Sequence, residues 1–287
     1  MATLRDIKRR IKSVKNTQQI TKAMKMVSAA KLRRAQEDIT SARPYAEKIK
    51  GLVSSLASRV MPESNEFLSK AGKGRALLAV FVSDRGLCGG FNTNLIRKAE
   101  RFVEENPELN ASYYLVGRRA HEHYKRRGVN IVKTLSIGIA RPSYGFAQSI
   151  AEDLIKAYKE DQTDEVYIIY SEFRSALSQR PVIERVLPLA TEEEEEKEEK
   201  TEGILFEPSE EEVLAELLPK YVEFQVYRAL LETAASEHGA RMTAMDAATR
   251  NAGEMINKLT LDFNRARQAA ITKELMEIIS GAEALKG

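Results

Sequence analysis

A glycine-rich segment at residues 83–92, SDRGLCGGFN, has the composition of a loop that could bind the phosphates of a nucleotide. It follows an apolar run and precedes a segment with helical periodicity, and the start of a helix offers backbone N–H groups to a phosphate. A P-loop needs a lysine and a hydroxyl residue directly after its last glycine, whereas this chain continues with FNTN. The dinucleotide fingerprint needs glycines at the first, third and sixth positions, whereas those here occupy the first, fourth and fifth. The spacing therefore favours a structural corner between a strand and a helix over a nucleotide site.

The other residue types that commonly do chemistry also lack a catalytic or metal-binding arrangement. His121 and His123 are two residues apart on an expected helix, so their side chains point in roughly opposite directions and cannot share one metal ion. Cys88 is the single cysteine, which excludes an internal disulfide and is typical of a reducing compartment. The histidines are distant from it in sequence, so we interpret Cys88 as a small core residue. The sequence thus predicts neither an active site nor a bound cofactor or metal.

The first sixty residues carry the repeat of a coiled coil. Steps of alternately three and four residues from Leu4 to Val60 reach an apolar side chain at every position except four consecutive ones. These four exceptions are polar: Gln18, Thr21, Lys25 and Ser28. The apolar residues of that stretch lie at neighbouring positions: Ile20, Ala23, Met24, Val27 and Ala30. We therefore expect one helix over residues 3–58 whose seam is interrupted, or rotates, about halfway along.

The last eighty residues repeat this pattern. The same steps from Leu217 to Ala270 reach only three polar residues, which are Arg228, His238 and Thr249. Ser209 and Glu212 form a capping-box pattern, which predicts that a second long helix starts there and continues to about residue 285. Beyond Ala270 the apolar stripe shifts, so we expect the helix to extend past its partner. The two helices can bury each other's apolar stripes most simply by packing as an antiparallel pair.

The residues between the two helices have the composition of an α/β domain. Five short runs are rich in β-branched and aromatic residues: 75–83, 112–117, 129–132, 165–173 and 181–189. Three segments between them have helical periodicity: 94–105, 118–127 and 146–159. This alternation predicts a largely parallel sheet. The expected fold is therefore an antiparallel coiled coil of the chain's two ends (1–60 and 209–287) with an α/β domain (75–208) inserted between them.

Charge is distributed unevenly along the chain. The net charge is only +3, but the first 36 residues contain eleven basic residues against the single acid Asp6, whereas residues 192–199 read EEEEEKEE. A basic helix could bind nucleic acid, but this one has no aromatic residue before Tyr45, and the acidic run, which we interpret as a solvated loop, would repel the same polymer. An organelle-targeting peptide is also basic, but the helical pattern here continues too far.

Five motifs occur in a defined order along the chain. The most specific is ITKELMEIISGAEA at residues 271–284. The other four are IKRRIKSVKNTQQITKAMKMVSAAKLRRAQ near the start, SDRGLCGGFNTNL, LPL followed by an acidic stretch and FEP, and RMTAMDAATRNAGEMI at 241–256. In order and spacing these motifs resemble those of the gamma subunit of F-type ATP synthases, and the resemblance covers the whole chain. It implies a left-handed antiparallel coiled coil with a Rossmann-like domain beside its base.

The resemblance also implies a role and partners. The chain would be a non-catalytic rotor shaft without a cofactor, present as one copy inside a ring of three alpha and three beta subunits. Its base would dock on the epsilon subunit and on the membrane ring of c subunits, at the cytoplasmic face of a bacterial plasma membrane. The chain lacks the inserted cysteine pair of the photosynthetic forms, so thiol regulation is not expected.

Individual residues match positions at which that family contacts its partners. Met24 and Arg241 match positions facing moving parts of the beta subunits, and Arg267, Gln268 and Thr272 match positions contacted by alpha and beta loops. Lys25, with Arg33 and Arg34, either meets acidic beta surface or stays solvated. The foot region on the c ring matches three residues: Ile204, Phe206 and Glu207.

Two other classes of function stay open at this stage. A Rossmann-type enzyme would bind a nucleotide in stoichiometric amount. A free-standing coiled-coil scaffold, or a nucleic-acid binder, would form a homodimer or retain an oligonucleotide at moderate salt. The gamma-subunit interpretation predicts instead co-assembly with alpha and beta subunits.

Overall fold

The computed structural model describes residues 3–57, 59–61, 65–68, 72, 74–136, 142–189, 207 and 209–284. In chain order the elements are α1 Leu4–Ala57, β1 Arg75–Phe81, α2 Phe91–Glu105, β2 Asn110–Val116, α3 Arg118–Tyr124, β3 Asn130–Leu135, α4 Tyr144–Lys159, β4 Glu165–Phe173, β5 Gln179–Leu187 and α5 Glu210–Ala284. They form two compact units: Met1–Val27 with Met242–Gly287, and Ser28–Arg241. The domain boundaries expected from the sequence stay predictions.

The larger unit is built on a five-stranded sheet with the order β3-β2-β1-β4-β5. The first four strands are parallel, and β5 pairs antiparallel with β4 at the edge. All five β-rich runs of the sequence therefore became strands, and the expected mainly parallel sheet is confirmed. The boundaries differ slightly: β5 ends at Leu187 because Pro188 has no N–H to continue the ladder.

Alternate residues of β1 pack on opposite faces of the sheet. Leu77, Ala79 and Phe81 contribute to a core shared with α1, α4 and the first part of α5. Their neighbours Leu78 and Val80 contribute to a second core with α2 and α3. This period of two along a central strand is the reason that both faces of the sheet are covered by helices.

Both long helices show the expected seam, and the four polar exceptions stay on it. In α1, Gln18 and Lys25 are half-buried and Thr21 is 8% exposed, whereas Ile20 and Val27 are 60% and 56% exposed. The seam therefore does not rotate. It keeps its position on the helix and becomes polar, so the apolar residues of this stretch point to solvent, except for the half-buried Met24.

The glycine at the end of β2 gives a direct test of this packing. Gly117 has φ 105°, and a Cβ there would lie 2.1 Å from the carbonyl oxygen of Val82. We expect Gly117→Ala to lower the free energy of unfolding by more than ~2 kcal/mol, because alanine is strained at this φ and its Cβ would clash with the carbonyl oxygen of Val82. Gly128→Ala is the control, since its φ is also positive (68°) but its Cβ would meet nothing within 4 Å. We expect about 1 kcal/mol there. Equal losses in urea unfolding would contradict the close-packing argument.

Candidate functional site

The position at which an α/β sheet of this kind binds ligands lies between β1 and β4. The chain runs from β1 outward to β3 and then crosses to β4 on the other side of β1, which creates a crevice at the carboxyl ends of these two strands. Helix α5 contacts the loops that follow both strands. We call residues 229–241 of α5 the crevice segment; every one of them except Ala240 is buried.

Two side chains of the crevice segment bind the end of β4. The carboxylate of Glu232 accepts a hydrogen bond from the backbone N–H of Phe173 at 2.7 Å. The hydroxyl of Ser236 donates to the carbonyl oxygen of Ser171 at 3.0 Å. Burial raises the pKa of Glu232 above its ordinary value of 4.5, although this hydrogen bond and nearby arginines oppose the shift. The helix thus occupies hydrogen-bonding groups that a ligand could otherwise reach.

The other side of the crevice is closed by Arg241 and the glycine-rich corner that follows β1. The guanidinium of Arg241 lies 2.6 Å from the carboxylate of Glu237 and donates a hydrogen bond to the carbonyl oxygen of Gly86 at 3.3 Å. Glu237 and Arg241 are 6% and 9% exposed. A buried ion pair of this kind is strongly destabilised when one partner is removed, because an unpaired charge is left in the interior.

Residues within the glycine-rich corner also bind one another. The side-chain oxygen of Asn92 accepts hydrogen bonds from the backbone N–H and the hydroxyl of Ser83, each at 2.9 Å, while its NH₂ group lies 3.3 Å from the sulfur of Cys88. Burial raises the pKa of the Cys88 thiol. Leu87, at the tip, has φ 64° and a side chain that is 63% exposed. Gly89 in the same corner has φ 58°, so the backbone itself requires a glycine there.

The two histidines of α3 have separate neighbours. The ring of His121 lies 3.3 Å from the hydroxyl of Thr134, and the ring of His123 lies 2.8 Å from the carboxylate of Glu100. Within the described part of the chain, no group of three or more His, Cys, Asp or Glu residues could hold a metal ion. No helix there is long and apolar enough to cross a bilayer either.

The candidate partner-binding residues lie in several places. Met24 is half-buried on α1, and the ammonium of Lys25 lies 2.5 Å from the carboxylate of Asp246. The three candidates nearer the C-terminal end of α5 are all exposed: Arg267, Gln268 and Thr272. Glu207 is exposed, while Ile204 and Phe206 lie outside the described residues. The smaller unit thus presents these α5 residues to solvent, whereas Arg241 is held inside the larger unit.

The end of α5 is exposed on every side. All residues from Ile271 to Gly281 are exposed, which confirms that the helix extends past its partner. Five of these are large apolar residues: Ile271, Leu275, Met276, Ile278 and Ile279. Such a surface is typical of a segment that another protein surrounds.

Sequence reasoning missed the crevice segment apart from Arg241. Its helical pattern predicted a narrow apolar stripe, but Glu232, Ser236 and Glu237 lie off that stripe and are nevertheless buried. The available signal was the density of small residues in LLETAASEHGA at 230–240, which allows close approach on all faces of a helix.

Comparisons with known proteins are consistent across the chain. A family model described as ATP synthase matches residues 3–285. An ATP synthase gamma chain of Geotalea daltonii is 53% identical over all of both chains, and one of Moorella thermoacetica is 50% identical, also over all of both. A chain of the Euglena gracilis mitochondrial ATP synthase, in a structure of OSCP, F1 and c-ring, has a TM-score of 0.74 at 20% identity, covering 98% of this chain and 94% of its own. That last similarity shows the fold.

The buried ion pair of the crevice segment can be tested with a double-mutant cycle. We expect Glu237→Leu or Arg241→Met alone to cost about 3 kcal/mol of unfolding free energy, and the double variant to cost clearly less than the sum. Lys273 and Glu277 have the same spacing on an exposed part of α5 and serve as the control, for which little coupling is expected. Additive losses at 237 and 241, measured in urea, would argue against a buried pair.

The raised pKa of Glu232 predicts a pH dependence of stability. Between the ordinary and the raised pKa the native state binds more protons than the unfolded state, so stability falls as pH rises through this window and stays reduced above it. Glu232→Gln keeps an oxygen for the N–H of Phe173 but cannot ionise. We therefore expect a higher Tm than wild type at pH 8 and a smaller difference at pH 4. The control is Glu216→Gln at an exposed position. The same change in Tm for Glu232→Gln at pH 4 and at pH 8 would contradict the assignment.

Proposed function

This chain belongs to the ATP synthase gamma-chain family, and from that membership we propose how its geometry serves the central rotor shaft of an F-type ATP synthase. The shaft couples ion-driven rotation of a c ring to successive conformational changes in three catalytic beta subunits. The chain is not itself an enzyme, because the catalytic sites belong to the beta subunits. The observation that carries the assignment is the match over the whole length of both chains.

The asymmetry of the chain supplies the mechanism. A single shaft cannot touch three identical beta subunits in the same way, so its angle gives each of them a different contact free energy. Every ~1.4 kcal/mol by which the shaft favours one conformation of a beta subunit over another changes the nucleotide affinity of that subunit tenfold. Because linked equilibria are reciprocal, nucleotide binding and product release drive the shaft in return.

The exposed end of α5 fits the interior of the alpha and beta ring. Its apolar residues from Ile271 to Ile279 would be costly to leave in water and gain free energy in an apolar sleeve. Arg267, Gln268 and Thr272 precede or begin this segment and are exposed. We assign these three residues to contacts with alpha and beta loops.

The remaining ring-facing positions require different roles. Met24 is half-buried beside the exposed Ile20 and Val27, so this face of α1 offers an apolar contact. Lys25 is bound to Asp246 and would have to share its charge with acidic beta surface. Arg241 stays a proposed contact of the beta subunits; within the chain it is buried and fixes α5 against the glycine-rich corner.

The base of the chain would contact the membrane sector. We propose that Ile204, Phe206 and Glu207 form the foot on the c ring, next to epsilon, and that the domain boundaries lie as the sequence predicts. As part of the ATP synthase the chain is membrane-associated. The bacterial relatives support the finer location, peripheral at the cytoplasmic face of a bacterial plasma membrane.

Co-assembly tests the function. The purified chain is mixed with alpha and beta subunits, and we expect complexes with one copy per three alpha and three beta subunits and an increased ATPase activity. A stable homodimer that does not enter the ring, or ATP hydrolysis by the chain alone, would contradict the assignment.

The apolar end of α5 gives a second test in the same assay. We expect Leu275→Ser with Ile279→Ser to weaken ring assembly at least tenfold, since each loses ~1.5 kcal/mol or more of burial. The Tm of the isolated chain should not change, because both side chains are already exposed there. Glu274→Ser with Glu277→Ser is the matched control. If both pairs of substitutions have the same effect on assembly, the apolar contact is refuted.

A further inference from the structure

The polar stretch of the α1 seam is bound across to α5 within the smaller unit. We propose that this polar layer, formed by Gln18, Thr21 and Lys25 against Asp246, Thr249 and Gly253, prevents the two helices from sliding along each other under load. The functional part of the proposal rests on the rotor function above. These residues are thus positioning residues, which act through the helices that they hold.

The centre of the layer is a pair of threonine hydroxyls. The oxygens of Thr21 and Thr249 are 2.8 Å apart, and each also lies near a carbonyl oxygen of its own helix, at 3.1 Å for Gln18 and 2.7 Å for Met245. A hydroxyl has one proton, so a hydroxyl that donates to its own helix must accept the proton of the other. The pair therefore joins the two backbones through a short directional chain.

Contacts on both sides of the threonine pair have the same antiparallel order. On one side, the amide of Gln18 donates to the carbonyl oxygen of Thr249 at 3.4 Å. On the other side, the ammonium of Lys25 lies 2.5 Å from the carboxylate of Asp246. Gln18 and Thr21 both contact Thr249, and Lys25 further along α1 contacts Asp246 further back along α5, so a displacement of either helix breaks the three contacts together.

Gly253 provides a further sign that the layer is built for this register. A Cβ at Gly253 would lie 3.1 Å from the side-chain nitrogen of Gln18, so the glycine leaves room for the amide. Glycine weakens a helix interior relative to alanine. The fit of Gln18 gives a reason for placing one here.

The layer has a role that apolar contacts cannot fill. Apolar packing is non-directional, and the seam beyond the layer consists of similar apolar residues that repeat every three or four positions: Ile256, Leu259, Phe263 and Ala266. A slide of three residues is only about 4.5 Å and brings apolar residues against apolar residues again. Hydrogen bonds and an ion pair have one matching arrangement, and polar seam residues are known to fix register in this way.

The consequence concerns the surface that the ring would meet. Ile20 and Val27 face outward from α1 at the level of the layer, while Arg267 and Thr272 are presented by α5. The distance between these two sets is set by the register of the helices. A layer that resists sliding keeps that distance constant while torque is applied.

Disulfide formation measures sliding in the full-length chain. Continuing the pairing of Thr21 and Thr249 by ten residues along each helix places Ile11 opposite Leu259. In a Cys88→Ser background, Ile11→Cys with Leu259→Cys reports the native register, and Ile11→Cys with Ile256→Cys reports a slide of three residues. We expect Thr21→Val with Thr249→Val to raise the rate of the second disulfide at least fivefold relative to the first. The Tm should be unchanged or higher, because an isosteric apolar pair can replace a hydrogen-bonded one without loss.

Two control variants separate sliding from general weakening. Thr21→Ser with Thr249→Ser keeps both hydroxyls and should retain the wild-type ratio of disulfides. Val14→Ala removes apolar contact from the same seam and should lower Tm without changing the ratio. An unchanged ratio in the double valine variant, or an equal rise in Val14→Ala, would overturn the proposal.

The assembled complex tests the functional part. We expect the double valine variant to pump at least twofold fewer ions per ATP hydrolysed than wild type, and the serine variant to match wild type. Unchanged coupling with increased sliding would overturn the functional part. If the wild-type chain itself does not enter the ring, the rotor assignment fails, while the disulfide ratios still decide whether the layer prevents sliding.

Discussion

Residues 229–239 of α5 are buried on all sides, so their polar side chains have no water to bind. The rest of the larger unit must therefore supply hydrogen-bond or ionic partners for them. Glu232 and Ser236 meet this condition through backbone groups of β4, and Glu237 meets it through Arg241. The backbone partners lie at the carboxyl end of β4, and Arg241 in turn binds the loop that follows β1. The ends of β1 and β4 are therefore arranged around a helix, in the place where related sheets bind a ligand.

This arrangement gives the glycine-rich corner a structural role within the chain. In a nucleotide-binding sheet, glycines let the backbone approach a phosphate. Here the carbonyl of Gly86 receives the guanidinium of Arg241, and Asn92 ties Ser83 to the start of α2. The same residue type thus serves close approach between two parts of one chain. The resemblance to a nucleotide loop thus has an explanation in the requirements of the backbone.

Much of this fold could be predicted because its signals are local. β4 was predicted with its exact bounds, since six of the nine residues of EVYIIYSEF are β-branched or aromatic. The helix α1 was predicted within a residue or two, because its seam holds for fifty residues. The start of α2 was placed three residues late, because helical periodicity cannot reveal that Gly90 already caps the helix. The end of α3 was placed late for a similar reason, since the chain turns before Gly128, where φ is 68°.

The pattern failed where polar residues are buried, since periodicity ranks residues by polarity and not by contact. At Thr21 it left two outcomes open, and the hydroxyl of Thr249 decides between them, because a partner 2.8 Å away makes burial of a polar residue acceptable. Glu232 lies off the apolar stripe, and its hydrogen bond to the N–H of Phe173 at the end of β4 makes its burial acceptable. In both cases the deciding group lies far away in sequence, 228 and 59 residues respectively. A coiled coil that had to be only stable would have no use for a pair such as Thr21 and Thr249, since apolar residues pack at lower cost. Their position in both helices is explained if the chain must also hold its parts in fixed relation while force is applied to it.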